Sequence, residues 1–170
     1  MDSTWKILAA TLSLFLLAAC GPVDADGRAL AQYEQPATKA LVLEMLRQLP
    51  DPNPGVPKSH ALTLGEIVRG RDFTAASVPF MQELAKASGL RFVSPEVLTT
   101  AKPTNHAIDP DTRVPVFVLQ VRSMKPVAAQ SWEYEAAWSY KDRFERRRWK
   151  VSAAASGSYK AEALEVIEAK

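Results

Sequence analysis

The sequence predicts an α+β domain in which two helices pack on an antiparallel meander sheet of about four strands. Two stretches with helical spacing of apolar residues lie in the first part of the chain, and strand-like alternation dominates the last third. About 150 residues follow the apolar stretch at the N terminus, which is enough for one domain with its own core. We therefore expect a single domain over residues 38–170.

The first helix is expected to begin at Thr38, whose hydroxyl is suited to cap it. Its apolar residues recur at helical spacing and are Leu41, Val42, Met45, Leu46 and Leu49. Residues 50–57 contain four prolines, which remove backbone donors and fix dihedral angles. This segment should end the helix and form an irregular loop.

A second helix is predicted before Gly89, which suits a C-terminal cap. Its start has three alternatives, namely Asp72, Thr74 and Ser77. The last alternative places Pro79 in the first turn, where proline is tolerated. Residues 60–68 indicate a short strand before this helix. Residues 99–113 are rich in Thr, Asn, Asp and Pro and predict turns throughout.

The last third of the chain predicts antiparallel strands. Residues 114–121 are apolar on both faces, as in a central strand. Residues 131–141 alternate, and a reversal near Asp142 through a four-residue loop would place Ala136 opposite Trp149. Residues 156–158 indicate another reversal, and the segment after them fits either a strand or a helix. The order of elements is similar to that of cystatin-like and nuclear-transport-factor-like domains, in which a curved sheet wraps a long helix.

Aromatic residues share one face of the predicted strand over residues 131–141. The candidates to line a ligand pocket are Trp132, Tyr134, Trp138 and Tyr140. Such side chains combine an apolar body with a polar N–H or O–H group. The alternative is that they join Trp149 and fill the core beneath a helix. The sequence alone leaves both alternatives open.

Basic residues cluster at 141–150. We expect Arg146, Arg148 and Lys150 to lie on the face opposite the aromatic residues, where they could bind an envelope protein or an anionic envelope component. The alternative is a solvated face on which these residues pair with Glu133 and Glu135. The net charge of the whole chain is only +2, and nothing in it indicates binding to nucleic acid.

Residue combinations typical of catalysis or of a cofactor site are not found in the sequence. The serines around Gly157 lack the strand and helix context of a nucleophile elbow. Glu133 and Glu135 lie near basic residues, which lower carboxyl pKa values and oppose a role as an acid. We expect neither catalytic activity nor a bound cofactor.

Metal binding is not predicted either. His60 and His106 are expected in surface loops, without a third ligand nearby. Asn105, Asp109 and Asp111 resemble an oxygen-ligand loop only in spacing, because the glycine and the distal glutamate of a calcium loop are missing. Turn formation is the expected role of these three residues.

The N terminus carries an uncharged apolar run over residues 7–19, after the single cationic residue Lys6. The run is too short to span a bilayer and fits the hydrophobic region of a secretory signal. It ends at Cys20, the only cysteine of the chain. Residues 1–19 are therefore predicted to be a signal peptide.

The residues Leu17-Ala18-Ala19-Cys20, followed by Gly21, resemble the lipobox of bacterial lipoproteins. The resemblance implies cleavage before Cys20, a diacylglycerol thioether on its sulfur and acylation, such as palmitate, of the new amino terminus. Two or three acyl chains make membrane attachment stable. We expect an exported lipoprotein on the periplasmic face of the outer membrane, because Gly21 replaces the Asp that in enteric-type lipoproteins prevents export there. Residues 20–37 would form the anchor and a flexible tether.

Overall fold

The structure is a computed structural model that describes residues 30–65, 74–102 and 104–170. It confirms the α+β class, with two helices of more than ten residues and a main sheet. The expected signal peptide with its lipobox, residues 20–29 of the expected tether and the alternative helix start at Asp72 lie outside the described residues. No helix in the described part of the chain combines the length and apolar character needed to cross a membrane.

Helix α2 spans Pro36–Gln48 and begins two residues before the predicted cap. Pro36 takes the first helical position, where its missing N–H is not needed. Thr38 therefore lies inside the helix, where it is fully buried, and its Oγ1 is 3.1 Å from the hydroxyl of Tyr134 on the sheet. A four-residue helix α1, Leu30–Tyr33, precedes α2. The folded unit thus includes residues before Thr38.

Helix α3 spans Val78–Ser88, and Ser77 is its cap among the three predicted alternatives. The Ser77 hydroxyl accepts a hydrogen bond from the backbone N–H three residues later at 3.3 Å. Gly89 ends the helix with a φ of 71°, as predicted. Glu34, between α1 and α2, accepts hydrogen bonds from the backbone N–H and the hydroxyl of Ser77 at 2.5 and 2.7 Å. The N-terminal segment is thereby attached to α3.

Over the described residues, eight strands form two sheets. Their bounds are Ser59–Leu64 (β1), Thr74–Ala75 (β2), Thr99–Ala101 (β3), His106–Ile108 (β4), Val116–Ala128 (β5), Ser131–Tyr140 (β6), Arg143–Ala153 (β7) and Tyr159–Ala169 (β8). The main sheet has the order β2-β1-β5-β6-β7-β8, and β3 and β4 form a separate pair. β1 and β5 are parallel, and all other neighbours are antiparallel.

The sheet is larger than the predicted four strands. Strands β5 to β8 form the expected antiparallel meander, and the last segment is a strand rather than a helix. β1 and β2 extend the sheet, with β1 joining β5 through a crossover that contains α3. The prediction of turns throughout 99–113 was wrong for β3 and β4, because three-residue strands are too short to show a period.

The β6–β7 hairpin is tighter than predicted. Tyr140 pairs with Arg143, so the loop has two residues, and the first of them, Lys141, takes a positive φ of 56°. Trp149 consequently pairs with Tyr134 and not with Ala136. The shift is two residues, and side chains alternate with a period of two, so every residue keeps its predicted face.

The two faces of the main sheet are covered differently. Helices α2 and α3 cover one face, and the main core lies between them and the sheet. The face of β6 and β7 that packs against these helices is the inner face. It includes Tyr134, Ala136, Trp149 and Val151. A smaller cluster on the opposite face packs Ala61 of β1 with neighbouring apolar residues around β4 and β5. Strands β6 to β8 present their outer face to solvent.

A buried carboxylate joins three distant segments. Asp109, in the loop before β5, has no exposed surface. It accepts hydrogen bonds from Ser59 Oγ at 2.7 Å, from Arg91 Nε at 2.7 Å and from the backbone N–H of Asp111 at 3.0 Å. The last bond closes a turn of the predicted kind. The Arg91 guanidinium is the main reason that the pKa of Asp109 lies well below its usual range.

We predict that Asp109→Asn lowers the free energy of unfolding at neutral pH by about 1 to 3 kcal/mol, because charge-assisted hydrogen bonds to buried groups are lost. A carboxyl group whose pKa is lower in the folded state stabilises the fold above its unfolded pKa of about 3.9 and loses that effect as the pH falls below it. Urea unfolding across pH 7 to 3 should therefore show that the difference in unfolding free energy between the parent and Asp109→Asn shrinks as the pH falls below about 3.9.

Asp111→Asn is the matched control, because Asp111 also contacts Arg91, at 3.0 Å, but its side chain is 78% exposed. Its effect should be much smaller. An Asp109→Asn protein as stable as the parent at pH 7 would contradict the structural role of the buried carboxylate.

Candidate functional site

The aromatic residues predicted to line a pocket all lie on the inner face of β6, and one of them, Trp138, borders the cavity described below. Tyr134 is buried against α2, and burial raises the pKa of its hydroxyl to about 12. Trp132 packs edge-on against Tyr159 at 5.6 Å. Tyr140 stacks on Phe117 of β5 with ring centroids 4.2 Å apart. These three side chains fill the core.

The cavity lies between the end of α2 and strands β6 and β7, and we call it the end cavity. Its volume is about 190 Å³. The residues that line it are Met45, Gln48, Pro50, Ala136, Trp138, Glu145, Arg147 and Trp149. It opens beside a wider surface depression near the β6–β7 turn, which shares Pro50, Trp138 and Glu145 with it.

Local sequence explains why the end cavity forms. Helix α2 stops at Gln48 because a proline follows two residues later, so the sheet beyond that point is not covered by the helix. Beneath this end, β6 contributes Ala136, whose methyl group leaves space between the larger side chains of Trp138 and Tyr134. Ala136 is only 1% exposed, so the space lies next to the core.

The polar side of the end cavity comes from β7. Glu145 Oε1 and Arg147 Nε are 3.2 Å apart and form an ion pair. The Arg147 guanidinium lies 6.0 Å from the ring centroid of Trp149, within the range of a cation–π interaction. Trp149 itself is only 4% exposed. The cavity therefore combines two indole rings with one pair of opposite charges.

Sequence reasoning did not single out Glu145 and Arg147. A usable signal was present, because the period of two places residues 145 and 147 on the same face as Trp149. Runs of charged residues usually lie in solvent. The prediction for the basic cluster therefore concerned Arg146, Arg148 and Lys150, which lie on the opposite face of β7. Only the contact between the sheet and the end of α2 shows that these two charges line a cavity.

The candidate partner-binding residues lie on the outer face of β7, where acidic residues surround them. Arg146 contacts Glu135 at 3.4 Å and Glu168 at 3.3 Å. Arg148 contacts Glu165 at 2.8 Å. In the strand pairing, Lys150 lies opposite Glu133 of β6 on one side and opposite Glu162 of β8 on the other. The outer face is thus a surface of alternating charge, and β8 covers the edge of β7.

The two histidines do not line the end cavity and do not occupy surface loops. His60 is 5% exposed in β1, between the rings of Phe92 and Phe117 at 5.7 and 5.9 Å. The expectation of a loop was wrong, because β1 already begins at Ser59 and turns His60 toward the core. Burial lowers the pKa of His60, which favours its neutral form. His106 is half-buried in β4.

Within residues 30–65, 74–102 and 104–170, no group of three or more His, Cys, Asp or Glu side chains is arranged to hold a metal ion. Comparisons with protein-family models, with curated proteins and with solved structures find no match to this chain. The chemistry of the end cavity therefore has to be derived from its own geometry.

Proposed function

We propose that the chain is a lipid-anchored, non-catalytic binding domain of the bacterial cell envelope and that it binds a small ligand in the end cavity. The observation that carries this proposal is the end cavity itself. Ligand sites are concave, mostly apolar and furnished with a few polar groups that fix orientation. Trp138, Trp149 and Met45 supply the apolar walls, and Glu145 and Arg147 supply the polar groups.

The geometry favours binding over catalysis. Glu145, the carboxylate of the end cavity, is already paired with Arg147 at 3.2 Å. A general acid or base must face the substrate with an oxygen that is free to exchange a proton, and the contact with Arg147 already occupies Glu145 Oε1. The arrangement can hold and orient a polar molecule without offering it a nucleophile.

The end cavity is also a better binding site than the basic residues of the outer face. Arg146 and Arg148 already contact carboxylates, so an anionic partner would have to displace them. The end cavity, in contrast, has space that protein atoms do not fill. Arg147 is itself paired with Glu145 at 3.2 Å, so the difference between the two surfaces is this unfilled space and not the pairing of the arginines.

We predict that filling the end cavity abolishes ligand binding. In Ala136→Leu the added carbons occupy the space beside Trp138, and any loss of stability should stay below the 1 to 3 kcal/mol typical of overpacked cores. The measurement is the thermal unfolding midpoint of the full chain in detergent with a panel of small amino acids, carboxylates, amines and neutral polar compounds. At least one compound should raise the midpoint of the parent and not that of Ala136→Leu.

Ala128→Leu is the matched control, because it makes the same substitution at an exposed position at the far end of β5. Its response to the panel should equal that of the parent. If no compound shifts the parent, or if Ala136→Leu responds fully, the end cavity is not a ligand site.

The envelope location rests on the N-terminal sequence. The lipobox-like residues end at Cys20, and the apolar run before it fits an export signal. Acyl chains on Cys20 would hold the domain at the periplasmic face of the outer membrane. This placement would expose the end cavity to small molecules of the periplasm.

We predict that Cys20→Ala blocks lipid-dependent processing and removes the acyl mass, because the mutated position can no longer form the thioether. Intact-mass spectrometry of the protein from membrane and soluble fractions measures both effects. An identical, unacylated product from the parent and the variant would show that Cys20 is not a lipid site.

A second candidate function is contact with an envelope protein through the outer face. The observation that favours it is that no described element covers the outer face of β6 to β8. Charge reversal of Arg146, Arg148 and Lys150 to Glu should then remove a specific protein from in-cell crosslinks of the tagged chain. Recovery of the same proteins from parent and variant would eliminate this candidate.

A further inference from the structure

One wall of the end cavity carries opposite charges side by side. Glu145 and Arg147 are successive inward residues of β7, and their side chains are 27% and 24% exposed. Glu145 Oε1 lies 3.2 Å from Arg147 Nε. The wall is therefore neutral as a whole but strongly polar over a few ångströms. Such a wall complements a ligand that also carries two opposite charges close together.

The same wall contains N–H groups that lack an acceptor. The indole Nε1 of Trp149 and the Nε of Arg147 are buried and have no hydrogen-bond partner among the described residues. The contact of Arg147 with Glu145 is close enough for an ion pair but does not have hydrogen-bond geometry. Buried donors are rarely left unpaired in folded proteins. These two nitrogens have no surface open to the cavity, so the groups that a ligand in the end cavity meets are the exposed parts of the Glu145 carboxylate and the Arg147 guanidinium.

The size of the end cavity limits the ligand. A cavity of about 150 Å³ can hold benzene, and the end cavity measures about 190 Å³. It therefore has room for a molecule slightly larger than benzene. Opposite the charged wall, Met45, Pro50 and Trp138 offer apolar surface. A suitable ligand is small, with charged groups at one end and an apolar body at the other.

We infer that the end cavity binds a zwitterionic α-amino acid with an apolar side chain. The ligand carboxylate accepts from the Arg147 guanidinium, the ammonium group donates to Glu145, and the side chain packs toward Trp138. A ligand with a carboxylate alone would meet Glu145 without compensation, and an amine alone would meet Arg147 in the same way. This inference rests on the proposed ligand-binding function of the end cavity.

The test compares three compounds that share one branched apolar body. L-leucine carries both charges, 4-methylpentanoate lacks the ammonium group, and 3-methylbutylamine lacks the carboxylate. Each is titrated into the full chain in detergent by isothermal titration calorimetry at neutral pH. We expect L-leucine to bind and each analogue to bind at least about tenfold more weakly, because one charge-assisted contact is missing.

Two substitutions should change the selectivity in opposite directions. Glu145→Gln should remove the preference for L-leucine over 4-methylpentanoate, and Arg147→Met should remove its preference over 3-methylbutylamine. A purely structural role of either residue would weaken all three compounds equally. The matched controls Glu133→Gln and Arg148→Met change the same residue types on the outer face and should keep the parent's selectivity. If Arg147→Met does not fold, the parent and Glu145→Gln still decide the question.

The outcomes separate this inference from the proposed function. If 4-methylpentanoate or 3-methylbutylamine binds the parent as tightly as L-leucine, the zwitterion inference is overturned while the ligand site stands. The same holds if none of the three binds but a panel compound other than an apolar amino acid stabilises the parent and not Ala136→Leu. If no compound of the panel binds, both fail.

Discussion

The parallel pair β1 and β5 depends on the buried carboxylate of Asp109. Parallel neighbours cannot be joined by a tight turn, and here 51 residues separate Leu64 from Val116. Asp109 binds Ser59 at the start of β1 and Arg91 after α3, just before the chain enters β5. The start of β1, the segment after α3 and the segment that enters β5 thus meet at one point, whereas the crossover leaves β1 at its other end, Leu64. The segment that follows α3 is thereby fixed at the end of the sheet where β1 and β5 begin.

Register in the β6–β7 hairpin decides where the charges of β7 lie. The two-residue loop at Lys141 sets residue pairing along both strands, and alternation then sends Glu145, Arg147 and Trp149 inward while Arg146 and Arg148 face solvent. The outer residues meet glutamates and form a neutral ladder. The inner residues meet the end of α2, where the proline after it leaves a gap. The basic cluster at residues 141–150 therefore contributes side chains both to the outer face of β7 and to the end cavity.

Local sequence patterns correctly predicted those features of the helices and strands that depend on residues close together in the chain. Ser77 and Gly89 bound α3, and the alternation of β6 placed Trp138 on the inner face even though the predicted register was shifted by two. The parallel pairing of β1 was not predictable in this way, because it depends on contacts across a long crossover. His60 was assigned both to the strand over residues 60–68 and, because a proline-rich segment precedes it, to a surface loop; the structure supports the strand. The end cavity depends on where α2 stops relative to β6 and β7, and no single segment encodes that distance.

The stability cost of the end cavity supports a binding role. An arginine and a tryptophan with unpaired buried N–H groups cost stability, on the order of 1 to 3 kcal/mol for each unsatisfied group. An apolar side chain at position 147, facing Ala136 and Met45, would avoid that cost and fill the space. A core under selection for packing alone would favour such a residue. Polar groups that lower stability are typical of functional sites. Unpaired buried polar atoms also occur at Ser131, Tyr140 and Arg146, so it is the unfilled space beside the Glu145–Arg147 pair that distinguishes the end cavity.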